Sequence, residues 1–235
     1  MPTAISPAGR SGSSPSVPAL APPDSAPPDS APSDSAPPSF AERVWCVLKA
    51  WVRNPTEVAT LCPSSPFLRE HLADRDCVRQ ASRVIELGPG DGGTTQALLA
   101  SMRDDARLLA IEKTDAFAES LGAINDPRLT VEIADACDLI EIVTRHDFGK
   151  ADVAISGIPF SHLPPMVAKQ ITQSVHEVLR PGGVFIAYQL ASDVKDYARP
   201  LFGPPKTEII PVNLPPLQSF VWTKIENDQS DAAEG

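Results

Sequence analysis

The stretch Val84-Ile85-Glu86-Leu87-Gly88-Pro89-Gly90-Asp91-Gly92-Gly93 constrains the fold more than any other part of the chain. An apolar run carries one acidic residue and ends in a glycine-rich turn. A helical segment from Thr94 to Arg103 comes next, with Ala97, Leu98, Leu99 and Met102 on a helical period. Strand, glycine turn and helix in that order open a nucleotide-binding α/β sheet. Gly88 and Gly90 let the backbone turn tightly and approach a ligand, because neither carries a Cβ. Gly92 lets the helix start close to the sheet. A glycine pattern alone also fits a surface turn before an ordinary helix, so its meaning depends on the rest of the chain.

Beyond the turn, strands and helices alternate regularly. Strands are expected at 83–87, Arg107 to Glu112, Leu129 to Ile133, Ala151 to Ser156 and Val184 to Gln189. Helices are expected from Thr114 to about Leu121 and from Pro165 to Leu179, the second with Val167, Ile171, Val175 and Val178 on one face. Arg180-Pro181-Gly182-Gly183 ends that helix and turns the chain. Asp193 to Arg199 reads as a short helix. Thr207 to Val212 and Ser219 to Ile225 form a closing strand pair around Asn213-Leu214-Pro215-Pro216. Repeated strand–helix alternation predicts an α/β, doubly wound, mostly parallel sheet of seven strands. Two closing strands without a helix between them predict an antiparallel C-terminal edge strand.

The flanks differ from this core. Residues 1–38 are rich in Pro, Ser, Ala and Asp, and Ala21-Pro22-Pro23-Asp24-Ser25 recurs at Ala26 and, with one change, at Ala31. Such a repeat has almost nothing to bury and predicts a disordered, partly polyproline II tail. Residues 39–80 are expected to hold an amphipathic helix and a pocket-capping segment. Phe40, Val44, Trp45, Val47, Leu48, Trp51 and Val52 recur at helical spacing, with Arg43, Lys49 and Arg53 between them. That helix either packs on the domain or lies at a membrane interface, aromatics at headgroup depth and cations near anionic lipid. Ser65 reads as an N-cap with Pro66 at the first helical position. Residues 81–225 form the main domain, and 226–235 a flexible acidic tail.

Charge and cysteines narrow the classes. The chain of 235 residues has a formal net charge of −10. The first 38 residues carry about −2 and the last ten about −4, leaving about −4 for the middle. An acidic chain is a poor long-range attractor of nucleic acid. Cys46, Cys62, Cys77 and Cys137 form no C-x-x-C pair and no ligand spacing with His71, His146, His162 or His176, so neither a metal site nor a disulfide framework is expected. Reduced thiols in a cytoplasm are the expectation. No run approaches the roughly 18 apolar residues of a spanning helix, and no signal-peptide h-region stands at the N-terminus.

Three acidic positions fall at or just beyond the carboxyl ends of three successive strands: Glu86, Glu112 and Asp135. In a parallel sheet these loops meet at the carboxyl ends of the strands, where ligands bind. Glu112 lies 24 positions after Gly88 and suits two ribose hydroxyls. Asp135 suits an adenine amino group. Glu86 suits a cationic or amino-bearing ligand better than a pyrophosphate. Counting Gly92 as the third glycine, the turn departs from G-x-G-x-x-G. The ligand is therefore read as an adenosine with a positive appendage rather than NAD.

With these residues in hand, the chain resembles the class I S-adenosylmethionine-dependent methyltransferases over about residues 80–225. The resemblance rests on Glu86-Leu87-Gly88-Pro89-Gly90-Asp91-Gly92, Glu112, Asp135-Ala136 and Arg180-Pro181-Gly182-Gly183, in the family's order and spacing. It implies a Rossmann-like sheet and S-adenosyl-L-methionine as cofactor, held by Glu86, Gly88, Pro89, Gly90, Gly92, Glu112, Lys113, Asp135 and Ala136. In this family the methyl acceptor sits after strand four, here Ser156-Gly157-Ile158-Pro159-Phe160-Ser161. Two subfamilies are similar there. Ribosomal RNA adenine dimethylases carry Asn-Leu-Pro-Tyr, whose Asn holds the exocyclic amine and whose Tyr stacks on the base. Gly157 stands where that Asn would be; Phe160 is still suited to stack. Bacterial phospholipid N-methyltransferases and their ornithine-lipid relatives share a Ser-Gly-hydrophobic-Pro loop, an N-terminal amphipathic helix before a Pro-Ser-Ser segment, and an Asn-x-Pro-Pro turn like Asn213 to Pro216.

The second resemblance implies an amine-headgroup lipid as substrate. It also implies a cytoplasmic enzyme on the inner face of the membrane, docked through residues 40–53, with nucleic acid disfavoured. An RNA adenine enzyme, a small-molecule N-methyltransferase and a binding module on a degenerate fold are the alternatives. Ser156, Gly157, Pro159, Phe160, His162 and Tyr188 are the candidate catalytic residues, with His162, Tyr188 and Ser156 as proton acceptors for the amine. Lys195, Arg199 and Lys206 are candidates for a lipid phosphate.

Overall fold

The computed structural model describes residues 65–210 and 217–225. The repeat tail, the helix expected at Phe40–Val52, the turn at Asn213–Pro216 and the acidic tail lie outside the described residues.

Ser65 caps α1 (Pro66–Ala73) as its type predicts: its Oγ accepts from the Leu68 N–H at 3.2 Å, and Pro66 occupies the first turn, where no N–H is needed. A short α2 (Asp76–Arg79) leads into β1 (Arg83–Leu87). Then come α3 (Gly93–Ser101), β2 (Arg107–Glu112), a 3₁₀ turn at Asp115–Phe117 running into α4 (Ala118–Gly122), and β3 (Leu129–Ile133). Next are α5 (Leu139–Arg145), β4 (Ala151–Ser156), α6 (Pro165–Val178), β5 (Leu179–Gln189), α7 (Val194–Phe202), β6 (Lys206–Ile210) and β7 (Leu217–Thr223).

The sheet has the order β3-β2-β1-β4-β5-β7-β6. The first five strands pair in parallel, and β7 runs antiparallel to both β5 and β6. The mostly parallel class with antiparallel C-terminal pairing is the one expected, but β7 is inserted between β5 and β6, so the outermost strand is β6. Parallel strands covered on both faces read as continuous apolar runs, which is why 84–87 and 108–111 show no alternation. On one face Ile85, Leu87, Leu109, Ile111 and Phe185 pack under α5, α6 and α7. On the other, Val84, Leu108, Val153, Ile155, Ile186 and Tyr188 pack with Leu68, Leu72, Val78 and Leu98. The segment from Ser65 therefore shares the core of the sheet. Arg75 ties it to the far edge by donating to Glu208 Oε2 at 2.6 Å. Burial pushes the Glu208 carboxyl up, but hydrogen bonds from Lys206, Arg75 and His71 outweigh that and hold it at about 2.

Two local expectations are corrected. Residues 139–145 carry a helix that was not anticipated: β-branched Ile140, Ile142, Val143 and Thr144 mask a helical spacing, yet Leu139, Ile142 and Val143 form its buried stripe. The strand expected from Val184 begins at Leu179. Ala151 pairs with Leu179 and Val153 with Val184, so Arg180 to Gly183 bulge out of the ladder. Lys224 caps the preceding helix, its Nζ donating to the carbonyls of His176 at 2.7 Å and Leu179 at 2.9 Å.

Candidate active site

The strand order reverses between β1 and its neighbours β2 and β4. That switch point opens a crevice beyond the carboxyl ends of the strands. The glycine turn forms its floor. Gly88 N–H donates to the Ile111 carbonyl at 2.9 Å and Gly92 N–H to the Pro89 carbonyl at 3.2 Å. Gly88, Gly90 and Gly92 all take positive φ, at 71°, 58° and 86°, a region that costs a side chain roughly 1–2 kcal/mol. Around Gly90 no atom of the described residues, its chain neighbours aside, lies within 4 Å of where a Cβ would sit, so the turn presents bare backbone on that side. At Gly92 a Cβ would lie 2.8 Å from Ile124 Cδ1. Gly92→Ala is therefore expected to lower stability by about 2 kcal/mol or more, read as a fall in the thermal midpoint; an unchanged midpoint would show that the turn relaxes freely.

Gly93, which also completes a G-x-G-x-x-G spacing with Gly88 and Gly90, packs against Arg69: a Cβ there would lie 2.1 Å from the guanidinium carbon. Glycine spacing alone thus does not distinguish the ligand classes. The acidic residues do.

Glu112 ends β2 almost buried. Its Oε2 accepts from Gly90 N–H at 3.0 Å and its Oε1 from Thr114 N–H at 2.8 Å. It fixes the turn, and its two oxygens retain lone pairs for further donors. Asp135 Oδ1 accepts from Cys137 N–H at 2.9 Å, and its Oδ2 pairs with Lys113 Nζ at 2.8 Å. The Cys137 bond first, then Lys113, hold the Asp135 carboxyl below its usual range. Lys113 stands beside the site as the exposed partner of Asp135, and Ala136 is buried in the turn that Asp135 caps.

Glu86 is the outlier. It is fully buried, and Thr95 Oγ1 donates to its Oε2 at 2.7 Å. Among the described residues its Oε1 has no hydrogen-bond partner. Burial pushes the carboxyl up to about 7 against the Thr95 bond, with the nearby Glu112 and Asp91 charges adding to the rise. A buried carboxylate oxygen without a donor is costly. An amino-bearing ligand at the turn would supply that donor, so the residues fit the α-ammonium of S-adenosylmethionine.

The acceptor loop leaves β4 beside Gly88. Ser156 is buried, and its Oγ accepts from Ile158 N–H at 3.2 Å, so it shapes the turn. Gly157 N–H donates to the Leu87 carbonyl at 2.9 Å. A Cβ at Gly157 would lie 2.6 Å from Tyr188 Oη, 2.9 Å from its Cζ and 3.0 Å from the Gly88 carbonyl oxygen. Pro159 precedes a 3₁₀ turn, Phe160–His162. Phe160 is a correction: at 1% exposure it belongs to the core near Tyr197 and is not displayed for stacking on a base. His162 is exposed, donating its backbone N–H to Pro159. Of the phosphate candidates, Lys195 lies 5.3 Å over the Phe220 ring, Lys206 pairs with Glu208 at 3.1 Å, and Arg199 is exposed on α7.

Three contributors were not read from the sequence. Thr95 holds Glu86. Arg69 pairs with Asp91 at 3.5 Å beside the turn. Gln189 Oε1 accepts from Phe160 N–H at 3.1 Å while its Nε2 donates to Ala191, pinning the acceptor loop to the end of β5. A polar residue closing an otherwise apolar strand was the one signal for Gln189.

Sheet order, glycine turn and carboxylates are those of a class I S-adenosylmethionine-dependent methyltransferase. Residues 84–183 match the family described as Methyltransferase domain. The chain is 29% identical over 140 residues to the ornithine lipid N-methyltransferase of Singulisphaera acidiphila, a match covering 59% of this chain and 73% of that protein. It is 30% identical over 132 residues to ribosomal RNA small subunit methyltransferase A of Phenylobacterium zucineum, covering 52% of this chain but only 45% of that one. In fold it is similar to the Burkholderia thailandensis 1,6-didemethyltoxoflavin-N1-methyltransferase solved with S-adenosylhomocysteine. The TM-score there is 0.54 at 15% identity, over 82% of this chain and 93% of that one.

Proposed function

We propose that this methyltransferase acts on the amine headgroup of a membrane lipid, phosphatidylethanolamine or an ornithine lipid. The observation that carries this reading is Gly157. Position 157 offers no amide to an adenine amine, and Tyr188 fills the space such a side chain would use. The match spanning 73% of an ornithine lipid enzyme supports it. So does Met166, a large apolar side chain 77% exposed just beyond the acceptor loop. Among the described residues no helix is long and apolar enough to cross a membrane. Attachment to the inner face of the cytoplasmic membrane is assigned to residues 40–53.

The cofactor supplies a methyl group already activated by the positive sulfur. The chain's part is binding and orientation, which can supply much of the rate. Glu86, Glu112, Asp135 and the glycine turn hold the cofactor. The loop from Ser156 to Phe160, pinned by Gln189, holds the acceptor, and its partial burial favours the neutral amine over the ammonium.

A second reading, methylation of an adenine in ribosomal RNA, is favoured by the ribosomal relative. Purified protein with labelled S-adenosylmethionine is expected to label phosphatidylethanolamine or ornithine-lipid vesicles and leave ribosomal RNA unlabelled. Labelled RNA with unlabelled vesicles would reverse the assignment.

A further inference from the structure

Ser156 pairs with Ala187 in the β4–β5 ladder. One step further, Gly157 and Tyr188 face each other at the carboxyl ends of the two strands, beside Gly88. The Tyr188 ring packs in the core face shared with α1 and α3, and the residue is 8% exposed. It is thus a rigid aromatic with two rotatable bonds and a polar tip. That tip lies 2.6 Å from where residue 157 would begin a side chain, closer than any real contact. Glycine at 157 and tyrosine at 188 therefore form a matched pair. Any larger residue at 157 requires the phenol to move.

Resting on the lipid-amine reading, we propose that Tyr188 Oη is the hydrogen-bond acceptor that orients the substrate amine, and that the Gly157–Tyr188 pair sets specificity for a tetrahedral alkyl amine. One oxygen on a rigid tip takes one N–H and leaves the nitrogen lone pair free to turn toward the methyl carbon. A planar base amine is better held by an amide together with a backbone carbonyl, and the phenol excludes the amide. As the N–C bond forms, the C–S bond breaks and its electron pair stays on sulfur. The surplus proton of the methylated ammonium passes to water, and the tyrosine stays protonated throughout.

The test is a cycle of Y188F, G157A and the double variant, each read for kcat and KM on whichever acceptor the wild type labels. S-adenosylmethionine affinity and the thermal midpoint are measured alongside. Y188F is expected to lower kcat about tenfold, the scale of one lost hydrogen bond, with cofactor affinity unchanged. G157A is expected to cost more alone than in the Y188F background, because removing Oη relieves the closest clash. Full kcat in Y188F, or a loss that follows the thermal midpoint, would overturn the role of the hydroxyl. Additive effects would overturn the pairing. If the wild type labels RNA and not lipid, the lipid-amine reading fails by itself, and Y188F on RNA still reports on the hydroxyl.

Discussion

Glu112→Ala is expected to weaken S-adenosylmethionine binding by about a hundredfold to a thousandfold. The side chain is nearly buried, and it accepts from Gly90 and Thr114 on two sides. Its removal costs the ribose partner and also loosens the backbone turn. Hydrogen bonds to a charged group are worth about 1.5–3 kcal/mol each, and about 1.4 kcal/mol is a factor of ten in affinity. Glu112→Gln keeps one acceptor and fills the same volume, so it should fall between the two. Titration calorimetry reads the effect directly. A dissociation constant within threefold of wild type for Glu112→Ala would remove Glu112 from the site.

The second large effect is on pH. Glu86 holds its proton to about 7 in the folded protein, against 4.5 ordinarily. Between those values the folded chain carries a proton that the unfolded chain has released. Stability therefore falls as pH rises through that window and is level above it. At about 1.4 kcal/mol per unit the fall amounts to about 3 kcal/mol. Glu86→Gln should abolish it and leave the protein more stable above pH 7. Cofactor binding runs the other way, because an ammonium group beside Oε1 favours the carboxylate. Affinity should fall by up to tenfold per unit below about pH 7, with a proton released on binding there, and be level from about 7 to about 8, where the free cofactor's own amine begins to lose its proton. Calorimetry in buffers of differing ionisation enthalpy counts that proton. A flat affinity from pH 5.5 to 8 would show that Glu86 does not meet the cofactor's charge.

Much of the local geometry around the candidate site was legible because its signals are local. The turn Gly88–Gly92 needs left-handed backbone at three places, and only glycine adopts it cheaply. Glu112 and Asp135 could be placed from the sequence because the first closes a recognisable strand and the second follows one. Ser65 and Pro66 announced a helix start through the chemistry of one turn. Where two local signals competed, the reading was wrong. The β-branched run 140–144 concealed a helix, and Gly182-Gly183 marked a bulge within β5 rather than a loop before it.

Residue types and their spacing determine the α/β class, the strand succession and the cofactor, since backbone preference and hydrophobic period belong to neighbours in sequence. The tertiary structure decides what happens between residues that meet only across the sheet. It inserts β7 inside the edge, withdraws Phe160 into the core, leaves one oxygen of Glu86 without a donor among the described residues, and sets the Tyr188 hydroxyl against Gly157. Those outcomes depend on desolvation and on packing between strands distant in sequence, which no local pattern encodes.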